Sequence, residues 1–293
     1  MFSRSRLNIQ RMLGFFWTAD GLLQLKPQMF TNAFVHDVIL PTAQGQPAWI
    51  AALVNWGAHL ILSNVGVWNG LFAVIQLTLG VALMFNIQPR LTLGASILWS
   101  AVVWGFGEGF GQVLTGQSLF LTGAPGAAML YGLLGVAVWP SDSANVHEWR
   151  LASVKFARYT LGVLWIAGAL MHLQHAYLSA GKFSDAISVP WLASWVAVDS
   201  RVVSLLIALL ELAVGIAFLL GRRVRVAAWT TVVLALTFWW VGQSFGQVFE
   251  PLSTDLNSGP LLALLAICAL PVARMPHAPR RPVFGRWLHQ QAG

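Results

Sequence analysis

Glu108 and Gln112 stand four residues apart at the end of an apolar run, and Gln243 and Gln247 repeat that spacing 135 residues later. Residues four apart share a helical face, so each pair sets a carboxyl or amide at the rim of apolar surface, beside Trp104 or Trp239. Such groups can hold a polar headgroup in a cleft, or cap helix ends and cross-link neighbouring helices. His172 and His175 are three apart. On one helix both rings can address one point, which suits bis-histidine ligation of haem, copper or iron as well as bonds to loop backbone. Asp20, Gln24 and Lys26 close the first apolar run, and Arg201 opens a later one. Asp20, Lys26 and Arg201 are therefore candidates for gathering a small, anionic substrate. Gln76 and Glu211 lie midway along apolar runs. A charge at the centre of a membrane helix costs roughly 2.5–3.5 kcal/mol, so Glu211 is expected to hydrogen-bond Gln76 or to carry a proton.

The elements that must position these groups are membrane helices. Of 293 residues, 57% are hydrophobic and 9% charged, where soluble domains carry about a quarter charged. A single cysteine, Cys268, excludes a disulfide framework and any thiol relay within the chain. No phosphate-binding GxxxxGK[ST] loop is present, which argues against ATP hydrolysis. Eight spans are expected, at about 9–27, 67–86, 90–108, 124–140, 157–178, 202–220, 224–242 and 259–274. With the first taken as a retained span and the N-terminus inside, 14 of the 17 Lys and Arg residues fall on the inner side. Only Lys26, Lys182 and Arg201 lie outside. That bias places both termini in the cytoplasm of a cell's inner (plasma) membrane. The net charge of +7 is then a topology signal that invokes no nucleic acid, and many of the 15 Trp residues suit an interfacial belt in the lipid bilayer.

The chain reads as two copies of one unit. Gly14, Trp17 and Ala19 recur as Gly162, Trp165 and Ala167, 148 residues on. The segment from Trp104 to Val113 recurs from Trp239 to Val248 at a spacing of 135, as do Gln76-Leu77 and Glu211-Leu212. The first copy thus holds 13 additional residues between its first two spans, contributing to an apolar outer segment at about 47–64 that is expected to form an interfacial helix. Four spans per copy make the repeat parallel, with each copy a four-helix bundle. The expected fold is all-α and integral to the membrane: a first unit at 1–140, a cytoplasmic linker at 141–156, a second unit at 157–274 and a cytoplasmic tail at 275–293.

The opening pattern, Arg11-x-x-Gly14-x-x-Trp17-x-x-x-Gly21-x-x-x-x-Lys26-Pro27 with Phe30 following, resembles the first helix of the DoxX/DoxD superfamily of four-helix membrane proteins. The short loop before Arg90 fits as well. The second copy departs from the pattern, with Ala169 and Gln174 at the positions of Gly21 and Lys26. The resemblance implies redox work near the quinone pool at the outer face, since relatives include the small subunit of thiosulfate:quinone oxidoreductase and proteins that mature periplasmic enzymes. A quinone-linked oxidoreductase subunit would use Glu108, His172 and Glu211 for proton chemistry. Gln112, Gln247, Gln243, Trp104 and Trp239 would hold the quinone, with a sulfur-containing or anionic reductant outside. A membrane anchor for a periplasmic redox protein and a proton-coupled transporter are the competing expectations.

Overall fold

Helix starts follow local capping cues. In the computed structural model, which describes residues 5–142, 145 and 147–271, α1 (Arg6–Leu23) begins where Ser5 Oγ accepts the Asn8 N–H at 3.2 Å. Short 3-10 and π turns between Pro27 and Ala43 lead to α2 (Ala48–Leu62). Asn64 caps α3 (Val65–Met84), and Pro89 occupies the first turn of α4 (Pro89–Phe106). After an irregular stretch comes α5 (Ala127–Ala137). The second half follows with α6 (Leu151–Met171), the short α7 (His175–Leu178) and α8 (Pro190–Ala197). Asp199 caps α9 (Ser200–Leu220), and α10 (Val224–Val241) and α11 (Ser258–Ala269) complete the order. The caps Asn64 and Asp199 stand 135 residues apart. So do Gln88 and Arg223, the left-handed residues that precede α4 and α10. No strand occurs among the described residues.

Four of these helices, α3, α6, α9 and α10, are long and apolar enough to cross a membrane. This gives the chain the character of a helical membrane protein. The expected spans at 124–140 and 259–274 hold helices shorter than their expected bounds. Gly123 and Gly126 hold φ of +112° and +104° and delay α5 to Ala127, while α11 stops at Ala269 because Leu270 is extended before Pro271. The resulting helices of 11 and 12 residues rise only about 17 and 18 Å, against a hydrocarbon core of roughly 30 Å. The apolar outer segment is a helix as expected, α2, with Trp49 and Trp56 exposed. The expected linker at 141–156 is shortened, since α6 starts at Leu151. The tail at 275–293 lies outside the described residues.

Packing pairs α1 with α3 and α6 with α9, then α4 with α5 and α10 with α11. The short apolar helix α11 is buried on nearly every side against α10, α6 and α5. It joins one core that draws on both halves of the chain, while the turns at 27–43 and α2 enclose a smaller core around Met29, Val35, Ile50 and Val54. The α1–α3 crossing is a backbone contact: a Cβ on Gly80 would lie 2.6 Å from the Thr18 nitrogen and 2.8 Å from the Gly14 carbonyl. At the α6–α9 crossing a Cβ on Gly215 would lie 2.9 Å from the Gly162 carbonyl. Small residues at such crossings let helices approach without a side chain between them. Above each crossing an indole reaches across the bundle at 2.8 Å, Trp17 to the Ser96 hydroxyl and Trp165 to the Thr231 hydroxyl. Gly80→Val should therefore prevent α1 from docking, read as loss of a monodisperse peak on size-exclusion in detergent. Gly94→Ala, where an added Cβ meets nothing within 4 Å, should leave that peak unchanged.

Candidate functional site

The duplicated Gly-x-x-Phe-Gly-Gln segments fold as tight left-handed turns. The helices end before them, α4 at Phe106 and α10 at Val241, and Gly111 and Gly246 hold φ of +64° and +72°. A Cβ on Gly111 would strike the Pro125 carbonyl, and one on Gly246 would lie 2.7 Å from the Leu256 carbonyl carbon. The neighbouring indoles brace the turns: Trp104 donates to the Pro125 carbonyl at 2.8 Å and Trp239 to the Leu256 carbonyl at 2.7 Å. Each ring stands edge-on to the turn's phenylalanine, Phe110 or Phe245. Glu108 and Gln243 then reach to the next helix. Glu108 Oε1 accepts the Ala128 N–H and Gln243 Oε1 the Gly259 N–H, each at 3.0 Å, satisfying donors in the first turns of α5 and α11. The expected shared face of Glu108 with Gln112, and of Gln243 with Gln247, is thereby corrected, because the helix ends before the pair begins. Gln112 and Gln247 are exposed, and of the two only Gln112 lines the cavity described below.

The loops between these turns and the following helices reach toward opposite halves. From the first half, Phe120 packs on Trp165 with ring centres 5.5 Å apart, and its carbonyl accepts from Gln243 Nε2 at 3.1 Å. Gln174 holds the Ser118 carbonyl at 3.3 Å and the Tyr177 hydroxyl holds that of Gln117. From the second half, Lys26 Nζ donates to the Val248 carbonyl at 2.8 Å and to that of Glu250. Asn257 seats on Gly123, where a Cβ would come within 3.3 Å of its amide carbon. Lys26 and Gln174, different residues at matching positions, do the same work.

This exchange leaves a cavity of about 720 Å³ in the first half. Trp17, Phe72, Trp99 and Phe106 give it aromatic walls, and Asp20, Gln24, Gln76, Glu108, Tyr131 and Asp255 give it polar ones. Tyr131 stacks on Trp17 at 4.0 Å and donates its hydroxyl to Asp20 Oδ2. Asp20 is only 2% exposed. Its Oδ1, with Gln24 Oε1, Gln76 Oε1, Glu108 Oε2 and the Trp99 indole nitrogen, is buried without a hydrogen-bond partner. Five unpaired polar atoms in one aromatic chamber are costly unless something pairs with them. Together they can accept hydrogen bonds from hydroxyl or ammonium groups, and Trp99 can donate one.

At the matching place in the second half an aromatic ring is seated. Phe120 lies against Trp165, Gly168 and Gln243, the residues at the positions of Trp17, Asp20 and Glu108. Glu211, fully buried, faces His172 with Oε2 at 3.6 Å from Nε2; it makes no hydrogen bond with Gln76, which corrects that expected pairing. His172 binds the Ser204 hydroxyl through Nδ1 at 2.8 Å. The expected His172–His175 pair is corrected too, because α6 ends at Met171 and exposed His175 starts a new helix. Among the described residues no group of three or more His, Cys, Asp or Glu side chains is arranged to hold a metal ion. Arg201 is exposed and bonds the Ser179 carbonyl; neither it nor Lys26 lines the cavity, whereas Asp20 does. Tyr131 and Trp99 were not among the candidates read from the sequence, since each sits in an apolar run with nothing in its spacing to mark it.

Asp255 lies in the loop outside the helices, and burial pushes its carboxyl above the usual carboxylate range. The Thr254 hydroxyl at 2.7 Å and the Asn257 N–H at 2.6 Å offset part of that rise. A carboxyl whose folded pKa is raised contributes stability at low pH that is lost as pH rises through the folded value. As pH rises from 4 to 8 the wild-type melting temperature in detergent should therefore fall further than that of Asp255→Asn. The difference is checked by intrinsic-fluorescence melting across that range. No family model, curated protein or solved structure matches the chain.

Proposed function

We propose that the chain is a DoxX-like inner-membrane protein of two fused four-helix units that binds a quinone headgroup as a subunit of a quinone-linked oxidoreductase. The observation that carries this reading is the aromatic chamber with unpaired Asp20, Gln24, Gln76, Glu108 and Trp99 atoms. Its volume falls within the range of small-molecule pockets, about 300–1,000 Å³. A quinone supplies two-electron, two-proton chemistry, and its reduced form presents two hydroxyl donors to such acceptors. Asp20, tied to Tyr131, and Glu108, tied to α5, would each accept one phenolic proton in a hydrogen bond. Trp99 would donate to a ring oxygen, and Trp17 and Phe72 would flank the ring.

The architecture behind it is supported by matched contacts at spacings of 148 and 135: the glycine crossings, the indole bonds, the caps and the turns. In this arrangement the bilayer is crossed eight times with both termini cytoplasmic. Helices α5 and α11 complete their crossings with the loops that precede them, which are buried in protein as irregular backbone at depth must be. The other redox partner would be a periplasmic protein or a small reductant that is not an anion held in the cavity, because its polar walls carry three carboxyl groups and no lysine or arginine. Those carboxyls also favour a second reading, an organic amine as the bound solute.

Titration of the detergent-purified protein with a short-chain benzoquinol, followed by tryptophan quenching and calorimetry, tests the proposal. One saturable site per chain is expected. Glu108→Gln should fold, since Gln243 makes the equivalent helix bond, and should bind the quinol about tenfold more weakly, equivalent to ~1.4 kcal/mol. Saturable binding of a quaternary ammonium in place of the quinol would shift the assignment to the amine, and binding of neither would sink it.

A further inference from the structure

The wall of the cavity formed by Thr254, Asp255 and Asn257 belongs to the second half of the chain, while the rest of the chamber is built from α1 to α5, the turns at 34–45 and the loop before α5. Something must hold that loop across the boundary. Its internal bonds shape it without anchoring it: Ser253 Oγ donates to the Gly246 carbonyl at 2.9 Å, and Asp255 accepts from Thr254 and Asn257. A charged donor from the first half crosses to it. Lys26 Nζ, just beyond α1, takes the carbonyls of Val248 and Glu250, and hydrogen bonds from a charged group are stronger than neutral ones. The equivalent position in the second half carries Gln174, which takes the Ser118 carbonyl and so holds the loop that delivers Phe120. The same position thus anchors the opposite loop on both sides, while the delivered residue decides the outcome: Phe120 fills its chamber and Asp255 leaves its chamber open.

We infer that Lys26 is a positioning residue for the cavity: it latches the 248–257 loop so that Asp255 and Asn257 form the cavity wall. It touches no ligand, and this role rests on the cavity being the binding site. Lys26→Met keeps the aliphatic stem and removes the donor, and Lys26→Arg keeps a charged donor. Hydrogen–deuterium exchange on the full-length protein in detergent, with no ligand added, reads the latch directly. Amides of 248–257 should exchange at least fivefold faster in Lys26→Met and close to wild type in Lys26→Arg, with exchange in α3 and α9 unchanged. Titration with the short-chain benzoquinol should show affinity lowered about fivefold by Lys26→Met. Adding that change to Asp255→Asn should cost less than it does alone, because both act through one loop. Unchanged exchange of 248–257 in Lys26→Met would overturn the inference, as would full additivity of the two substitutions. If the wild type binds no quinol, the quinone reading fails on its own and the exchange comparison alone decides the latch. Should Lys26→Met not yield folded protein, Lys26→Gln is compared with Lys26→Arg: faster exchange of 248–257 is expected with the shorter, neutral donor, and equal exchange in the two would overturn the inference.

Discussion

Backbone that is not helical cannot face lipid, because no water is there to take its hydrogen bonds. In the proposed arrangement that constraint would organise this molecule. Between α4 and α5, at residues 107–126, and again between α10 and α11, at 242–257, the chain runs in turns and loop that lead to short helices. Each loop is covered by the other half. Gln243 and Gln174 take carbonyls of the first loop, and Lys26 takes carbonyls of the second. Burying α11 among α5, α6 and α10 is the other side of the same arrangement, since two short helices at the centre are shielded by longer ones around them. The halves are therefore joined by mutual satisfaction of polar backbone as well as by apolar packing.

Such joining also explains why two similar halves offer different interiors. The bracing is matched almost bond for bond: Trp17 to Ser96 and Trp165 to Thr231, Trp104 to Pro125 and Trp239 to Leu256, Glu108 to Ala128 and Gln243 to Gly259. What differs is what projects inside. The first half has Asp20 where the second has Gly168, and a Cβ at Gly168 would meet Glu211 Oε2 at 2.7 Å, with the Phe120 ring in ordinary contact at 3.4 Å. The close carboxyl, more than the ring, keeps that position small. Gln24 and Asn69, where the second half has His172 and Ser204, bond each other through backbone, since Asn69 donates to the Gln24 carbonyl, whereas His172 and Ser204 bond through their side chains. The first half lines a chamber with its polar residues, while the second packs Glu211 beside His172, with both Glu211 oxygens unbonded as well.

Much of the framework was legible in the sequence because the features that build it are local. Apolar runs mark the helices directly, and Gly14 with Gly162 and the duplicated Trp–Phe–Gly–Gln segments mark the internal recurrence, though not the turns those segments form. Helix ends were less legible. Reading Glu108–Gln112 and His172–His175 as helical neighbours assumed helices running past Phe106 and Met171, whereas left-handed glycines and a helix cap stop them. The chamber itself could not be read, because its walls come from five separated segments. Tyr131, Trp99 and Asp255 meet Asp20 and Glu108 only once the loops have crossed.

The same crossing bears on why the unpaired atoms persist. Unpaired atoms of two buried carboxyls, two amides and an indole each cost about 1–3 kcal/mol, and apolar substitutions would remove that cost. Glu108 shows why it is not simply removed: Oε1 is committed to α5 while Oε2 is left over, so a glutamine would serve the helix equally well, as Gln243 does. The second carboxylate oxygen makes no hydrogen bond, although the Ala127 backbone lies beside the carboxyl. Asp20 repeats the pattern, with Oδ2 held by Tyr131 and Oδ1 unbonded beside the Leu256 backbone. Two acids, each half used by the fold and each presenting its other oxygen to one aromatic chamber, are better explained by a ligand that needs both than by any demand of packing.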